Sequence, residues 1–193
     1  MIAIMSLIEA LKRLAPAERR YAAGEHLFHQ GDRVAVLHLV VEGRVQLVRH
    51  QVDGSALVLQ RAGPGAIVAE ASMVSDRYHC DGVATAPVRS LAVRKASIRA
   101  RIASDPDFAM AFVAHLAREV HASRLRAEIL SRRTVAARLD AWTAAHDGRP
   151  PARGEWKSVA NEIGTSPEAL YREIARRRAP PGPAPAPPSL RRR

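Results

Sequence analysis

Residues Arg44-Val-Gln-Leu-Val-Arg49 alternate polar and apolar side chains, the period of a strand with one face buried and one in water. Asp53-Gly54 follows, then a second apolar run, Ala56–Leu59, and an Asp-Gly pair between two such runs signals a type I′ hairpin. Working outward, Val34–Val41, Ala66–Val68 and Val83–Val93 repeat the theme, with Gly31, Gly43, Gly63 and Gly65 between them. Short strands at this spacing from Tyr21 to Val93 predict a β-sandwich or a jelly-roll-like β-roll.

After Val93 the period changes. Asp105-Pro106-Asp107 is a helix start, with Asp105 able to cap and Pro106 suited to the first helical position. No glycine or proline interrupts the chain from there to Trp142, so one helix of up to about 37 residues is predicted, or two with a break at Ser131–Thr134. Val113, Leu116, Val120, Ser123, Ala127, Leu130 and Thr134 fall at 3-4 spacing, as in the seam of a coiled coil between two copies of the chain. An ordinary buried helix is the plainer alternative. Phe108, Phe112, Leu125 and Ile129 lie off this seam and are expected to pack on the β-roll.

Beyond a loop at 146–154 two short helices are predicted, about Trp156–Ile163 and from Pro167 onward, joined through Gly164-Thr165. Ser166 is placed to cap the second, and Glu168 complements its dipole. Val159, Ala160, Ile163, Leu170 and Ile174 are spaced to pack together, which predicts a helix-turn-helix, with a generic helical hairpin as the alternative. The second helix carries Arg172, Arg176, Arg177 and Arg178. Residues 179–193 are a proline-rich, arginine-ending tail in which polyproline II or disorder is expected and no strand pair is present.

The chain is therefore expected to be α+β. Its parts are an N-terminal helix and β-roll (1–104), a long dimerisation helix (105–131), a helix-turn-helix with no strand pair after it (132–178) and a tail (179–193). The charge follows this division. Residues 1–116 hold 14 Lys/Arg against 11 Asp/Glu, and residues 117–193 hold 16 against 8, so most of the net +11 sits in the second part. A basic module behind a near-neutral one points to a polyanion as partner. The 4% aromatic content argues against a stacking platform for single strands.

One cysteine, Cys80, rules out a disulfide or an iron-sulfur cluster within one chain. Residues 1–8 are too short for a secretory h-region and read as a small amphipathic helix, and no stretch approaches a membrane span, so a cytoplasmic protein without a membrane partner is expected. The eight histidines (His26, His29, His38, His50, His79, His115, His121 and His146) are scattered through the sequence. No nucleophile-base pair or metal-ligand spacing stands out, so neither an enzyme nor a metal site is expected.

The segments Leu27-Phe-His-Gln-Gly-Asp32, Leu37-His-Leu-Val-Val-Glu-Gly43 and Gly65-Ala-Ile-Val-Ala-Glu70 resemble the glycine-punctuated roll of cyclic-nucleotide-binding domains. With the long helix and helix-turn-helix behind them, residues 20–178 resemble the Crp/Fnr superfamily of transcription regulators. The resemblance implies a homodimer whose β-roll binds a signal and whose recognition helices bind double-stranded DNA, with RNA polymerase as a candidate partner. It implies an effector pocket at Glu70, Ala71, Cys80, Asp81 and Ser123. Glu70 matches the ribose-binding glutamate of that family. The positions of its phosphate-binding arginine and the next residue fall on Cys80 and Asp81, which argues against cyclic AMP or cyclic GMP, because a thiol and a carboxylate cannot replace a guanidinium. Arg77 would serve only if the loop shifted by three residues. His79-Cys80 is open to two readings, a haem, metal or redox contact and a core cysteine beside an exposed tip. At the DNA end the resemblance implies contacts from Thr165, Ser166, Glu168, Ala169, Arg172 and Arg176, with Glu168 and Arg172 reading bases. Pro167 replaces the family's first recognition arginine. The rival expectation is a signal-binding dimer with degraded or non-specific DNA binding.

Overall fold

The computed structural model describes residues 2–14, 17–51 and 56–178. The Asp53-Gly54 hairpin and the 179–193 tail lie outside the described residues. The chain divides into two compact units, Met1–Glu119 and Val120–Arg193.

The first unit opens with α1 (Ile2–Leu14), whose Leu7 and Leu11 are buried while Glu9 and Lys12 pair in water at 2.7 Å. Eight strands follow: β1 (Ala17–Tyr21), β2 (His26–Phe28), β3 (Val36–Glu42), β4 (Val45–His50), β5 (Ala56–Ala62), β6 (Ile67–Val68), β7 (Asp81–Ala84) and β8 (Val88–Arg94). They form two antiparallel sheets, ordered β1-β8-β3-β6 and β2-β7-β4-β5. The β-roll expected from the alternating runs is present, with three corrections. The run Val83–Val93 is two strands, because Thr85-Ala86-Pro87 turns the chain between them and Pro87 cannot donate to a ladder. That turn meets the β3–β4 turn backbone to backbone. Gly43 has φ +87°, and a Cβ there would sit 2.1 Å from the Pro87 carbonyl oxygen, so only glycine fits. β1 carries no apolar alternation. It is an exposed edge strand paired with β8 and tied by Arg89, which reaches Glu18 and Glu42.

β3 is buried on both faces. Val40 belongs to the core between the sheets, with Phe28, Val45, Leu47, Val68, Tyr78 and Cys80. Leu37 and Leu39 face a second core made with Leu7, Leu11, Ile98, Phe108 and Phe112. The third correction is α2 (Lys95–Ser104), a helix without a periodic apolar stripe that is anchored by the fully buried Ile98.

α3 runs from Pro106 to Ser131. Asp105 caps it, its Oδ1 accepting from the Phe108 N–H at 3.0 Å. The helix stops at the expected break, and Thr134 starts α4 (Val135–Ala145), its Oγ1 accepting from the Ala137 N–H at 3.1 Å. Phe108 and Phe112 pack on the roll as expected. Leu125 and Ile129 do not: they join the core of the second unit with Leu139, Trp142, Val159, Ala160, Ile163, Leu170 and Ile174. α5 (Trp156–Glu162) and α6 (Pro167–Arg178) complete that unit. Among the described residues no helix is long and apolar enough to cross a membrane.

Candidate functional site

The α5–α6 turn is built by backbone chemistry. The Thr165 N–H donates to the Ala160 carbonyl at 2.9 Å and the Gly164 N–H to Asn161 at 3.4 Å, a Schellman closure with Gly164 at φ +64°. The Ser166 hydroxyl accepts from the Ala169 N–H at 3.2 Å and caps α6. Leu170 and Ile174 anchor the inner face of the helix, and Glu168 and Arg172, one turn apart, are exposed on its outer side. The Glu168 carboxyl is held below the usual range by its own backbone N–H, then by Ser166 and the Arg172 charge. Among the described residues Arg172 makes no hydrogen bond or ion pair. Thr165 and Ala169 are half-buried beside it.

The other three arginines of α6 are engaged in contacts within the unit. Arg176 grips the Glu173 carboxylate through two nitrogens at 2.9 and 2.8 Å. Arg177 reaches Glu173 and Asp140, each at 2.7 Å, and the Ala136 carbonyl at 3.0 Å, which ties α6 to α4. Arg178 lies 5.2 Å from the centre of the Trp156 ring. Arg176 and then Arg177 hold the Glu173 carboxyl down at about 2. Sequence reading also missed Arg138, which bonds to four carbonyls around the turn, Leu130, Arg132, Ile163 and Gly164. A lone mid-helix arginine gives no pattern from which this could be foreseen.

In the β-roll, Ala69 takes a left-handed conformation, φ 74°, which turns the chain into the 3₁₀ turn at Glu70–Val74. Glu70 is 6% exposed and its Oε2 has no hydrogen-bond partner among the described residues. Burial pushes its carboxyl up to about 7, against its own backbone N–H and with a further push from Glu119. Ala71 is exposed. Cys80 belongs to the core between the sheets, and burial pushes its thiol up to about 11, so the core reading of this cysteine is the one the fold bears out. Asp81 is buried, its Oδ1 accepting from the Gln30 N–H at 2.7 Å. Ser123 is exposed on the part of α3 that belongs to the second unit.

Glu70 keeps an oxygen without a partner among the described residues, whereas Cys80 and Asp81 present a buried thiol and a carboxylate already bonded to Gln30. Arg77 is committed to the Gly31 carbonyl at 2.6 Å. One cation unseen in the sequence reading does stand nearby: Arg49 of β4, whose Nε donates to the His79 carbonyl at 3.2 Å.

The α3 positions expected to form a seam are largely exposed on the single chain. Val113 is 54% exposed, Val120 46% and Leu130 40%; Ser123 and Ala127 are exposed, and Leu116 is half-buried.

Comparison with known proteins places these features. Residues 18–105 match the family model of the cyclic nucleotide-binding domain. The cyclic AMP receptor protein of Thermus thermophilus is 32% identical over 114 residues, covering 58% of this chain and 53% of that protein, so the match spans about half of the relative's length. Among solved structures, FixK2 from Bradyrhizobium japonicum superposes with a TM-score of 0.65 at 18% identity, covering 83% of both chains. The Thermus thermophilus catabolite activator protein does so with a TM-score of 0.53 at 26% identity, covering 91% of this chain and 82% of that one. These relatives are non-enzymatic transcription regulators.

Proposed function

For a chain whose residues 18–105 are a cyclic nucleotide-binding domain and whose structural neighbours are Crp/Fnr-family regulators, we propose the work of a homodimeric transcription regulator that reads duplex DNA through a C-terminal helix-turn-helix. The observation that carries this reading is α6: capped at Ser166, buried on its Leu170–Ile174 face, and presenting Glu168 and an unengaged Arg172 outward. Arginine donates to guanine O6 and N7 in the major groove, and glutamate accepts from cytosine N4. The hydroxyls of Ser166 and Thr165, with Ala169 beside them at the start of the helix, supply donors for a backbone phosphate. Arg176 adds charge, moderated by its pairing with Glu173.

The exposed stripe Val113, Leu116, Val120, Ser123, Ala127 and Leu130 supports pairing of two α3 helices, which would set two recognition helices on a palindromic site. Glu70 is the polar group that would engage the signal. With Cys80 and Asp81 where a phosphate-binding arginine is needed, that signal is something other than cyclic AMP or cyclic GMP. It acts by binding two dimer states unequally.

A second reading, a signal-binding dimer without sequence-selective DNA binding, is favoured by one observation: three of the four α6 arginines are spent on internal contacts. Selection of the full-length protein on a random duplex library at two salt concentrations separates the two. An enriched palindrome with half-sites about one helical turn apart supports the regulator. Uniform, steeply salt-dependent retention supports the second reading.

A further inference from the structure

Three histidines from two segments, His26 with His29 and then His50, converge on one carboxylate distant in the sequence from both. His26 lies on β2, His29 follows it in the loop, His50 ends β4 and Asp81 begins β7, so the pairing of neighbouring strands brings them to one end of the sheet β2-β7-β4-β5. A nitrogen from each of His26 and His29 and an oxygen of Asp81 all lie within 4.8 Å of one another. His29 Nδ1 is 3.7 Å from Asp81 Oδ1, and His50 Nε2 is 3.4 Å from Asp81 Oδ2. We propose that His26, His29 and Asp81 form the core of a binding site for a divalent first-row transition metal, zinc being the ion the donor set suits best, and that His50, outside this cluster but 3.4 Å from Asp81 Oδ2, moves in as a fourth ligand when the ion binds.

The spacing is the first argument. Hydrogen bonds from imidazole to carboxylate close to about 2.7–3.2 Å, and neither contact does. Zinc bonds of about 2.0–2.1 Å place the ligands of a tetrahedral site about 3.3 Å apart, near the 3.4 and 3.7 Å that separate Asp81 from His50 and His29, while His26 lies within 4.8 Å of His29 and Asp81 and closes in on binding. The donor set is the second. Neutral imidazole and one carboxylate select zinc and its neighbours over magnesium or calcium, which take oxygen ligands.

Preorganisation is the third. Asp81 is buried and fixed by the Gln30 N–H on Oδ1, an outer-shell bond that orients the carboxylate and leaves Oδ2 toward His50. The loop that carries His29 is pinned as well. The His29 N–H donates to Asp32 Oδ2 at 3.2 Å, the Gly31 N–H to Tyr78 at 2.9 Å, and the Tyr78 N–H to Asp32 at 3.0 Å. The imidazoles themselves are exposed, so an ion can enter, and the His26 and His29 rings are stacked with centres 4.2 Å apart. Bound metal would cross-link β2, β4 and β7. The site is independent of whether α6 reads DNA.

The test is titration of the untagged full-length chain with zinc chloride by calorimetry, alongside the chain's Tm and its visible spectrum with cobalt(II). We expect one ion per chain, a rise in Tm on saturation and the intense visible bands of four-coordinate cobalt. His26→Ala and His29→Ala are each expected to weaken zinc binding about tenfold or more and to remove the cobalt bands, while His146→Ala, in the other unit, leaves both unchanged. Asp81→Asn keeps an acceptor for Gln30 and is expected to lose affinity without loss of fold. If the wild type and the His26→Ala/His29→Ala double variant titrate alike, or the wild type takes up no ion at sub-millimolar zinc, the proposal is wrong.

Discussion

Arg138 donates to the carbonyl of Gly164 at 2.8 Å, from one helix to the turn between two others, and the same nitrogen also reaches Ile163 at 3.2 Å. Carbonyls at a helix end lack intrahelical partners, and here a single guanidinium satisfies those of α3 and α5 together. Arg138→Ala is expected to cost the C-terminal unit about 1–3 kcal/mol. Hydrogen exchange should show faster opening of residues 156–170 with β-roll amides unchanged. Uniform protection in both proteins would count against this role.

Glu70 contributes an inverted pH dependence. Its carboxyl titrates near 4.5 when unfolded and at about 7 when folded, so the native chain holds the extra proton between these values and loses stability as pH rises through them. Glu70→Gln removes that loss, and the variant is expected to exceed the wild type by about 1–3 kcal/mol at pH 8 and to match it near pH 4. His38 works in the opposite direction. Buried in the roll and lowered from 6.5 to about 4 chiefly by burial, with Arg19 adding to it, it makes the fold lose stability as pH falls from 6.5 toward 4. Urea unfolding of both proteins across pH 4–8 isolates the Glu70 part as the difference between the two curves.

The α3 stripe makes a sharp prediction about assembly. Val120→Glu places a charge in the middle of the expected seam, where pairing would bury it, and is expected to convert a dimer to monomers in sedimentation equilibrium. Far-ultraviolet circular dichroism should not change, because Val120 is exposed on the single chain. A wild type that sediments as a monomer at micromolar concentration would remove the seam from the account.

Two arginines on one helix are expected to behave differently. Arg172→Ala should leave Tm unchanged and cost about 1–3 kcal/mol of DNA affinity, concentrated at one base pair. Arg177→Ala should lower Tm, because it releases Asp140, Glu173 and the Ala136 carbonyl. Equal losses on every DNA sequence from Arg172→Ala would reduce that residue to a phosphate contact.

What could be read in advance was whatever lies in local pattern. Short apolar runs between glycines located β3 to β6, Asp105 marks a real helix start and Ser166 caps α6, whereas Thr134, read as a seam position, lies beyond α3 and caps α4. What could not be read depends on distant partners. β1 is a strand only because β8 lies beside it, since its own residues are polar. Leu125 and Ile129 carry no sign of which core will receive them. The histidines looked scattered because His29 and Asp81 are 52 positions apart, and only the register of β2, β7 and β4 brings them together. The arginines of α6 are a further case. The sequence shows four arginines on one helix without showing that Glu173 and Asp140 claim two of them and the Trp156 ring a third.

Cys80 gives the roll a built-in reporter of its own opening. A thiol 2% exposed with a pKa of about 11 is ionised in only about one molecule in ten thousand at pH 7, and reagents that attack thiolate find almost nothing to attack. Labelling then depends on excursions that expose the sulfur. Because this is the sole cysteine of the chain, the rate of modification by a small disulfide reagent tracks those excursions and nothing else. An effector that tightens the roll would slow that reaction whatever its chemistry, so the signal can be sought by screening for compounds that protect one sulfur atom.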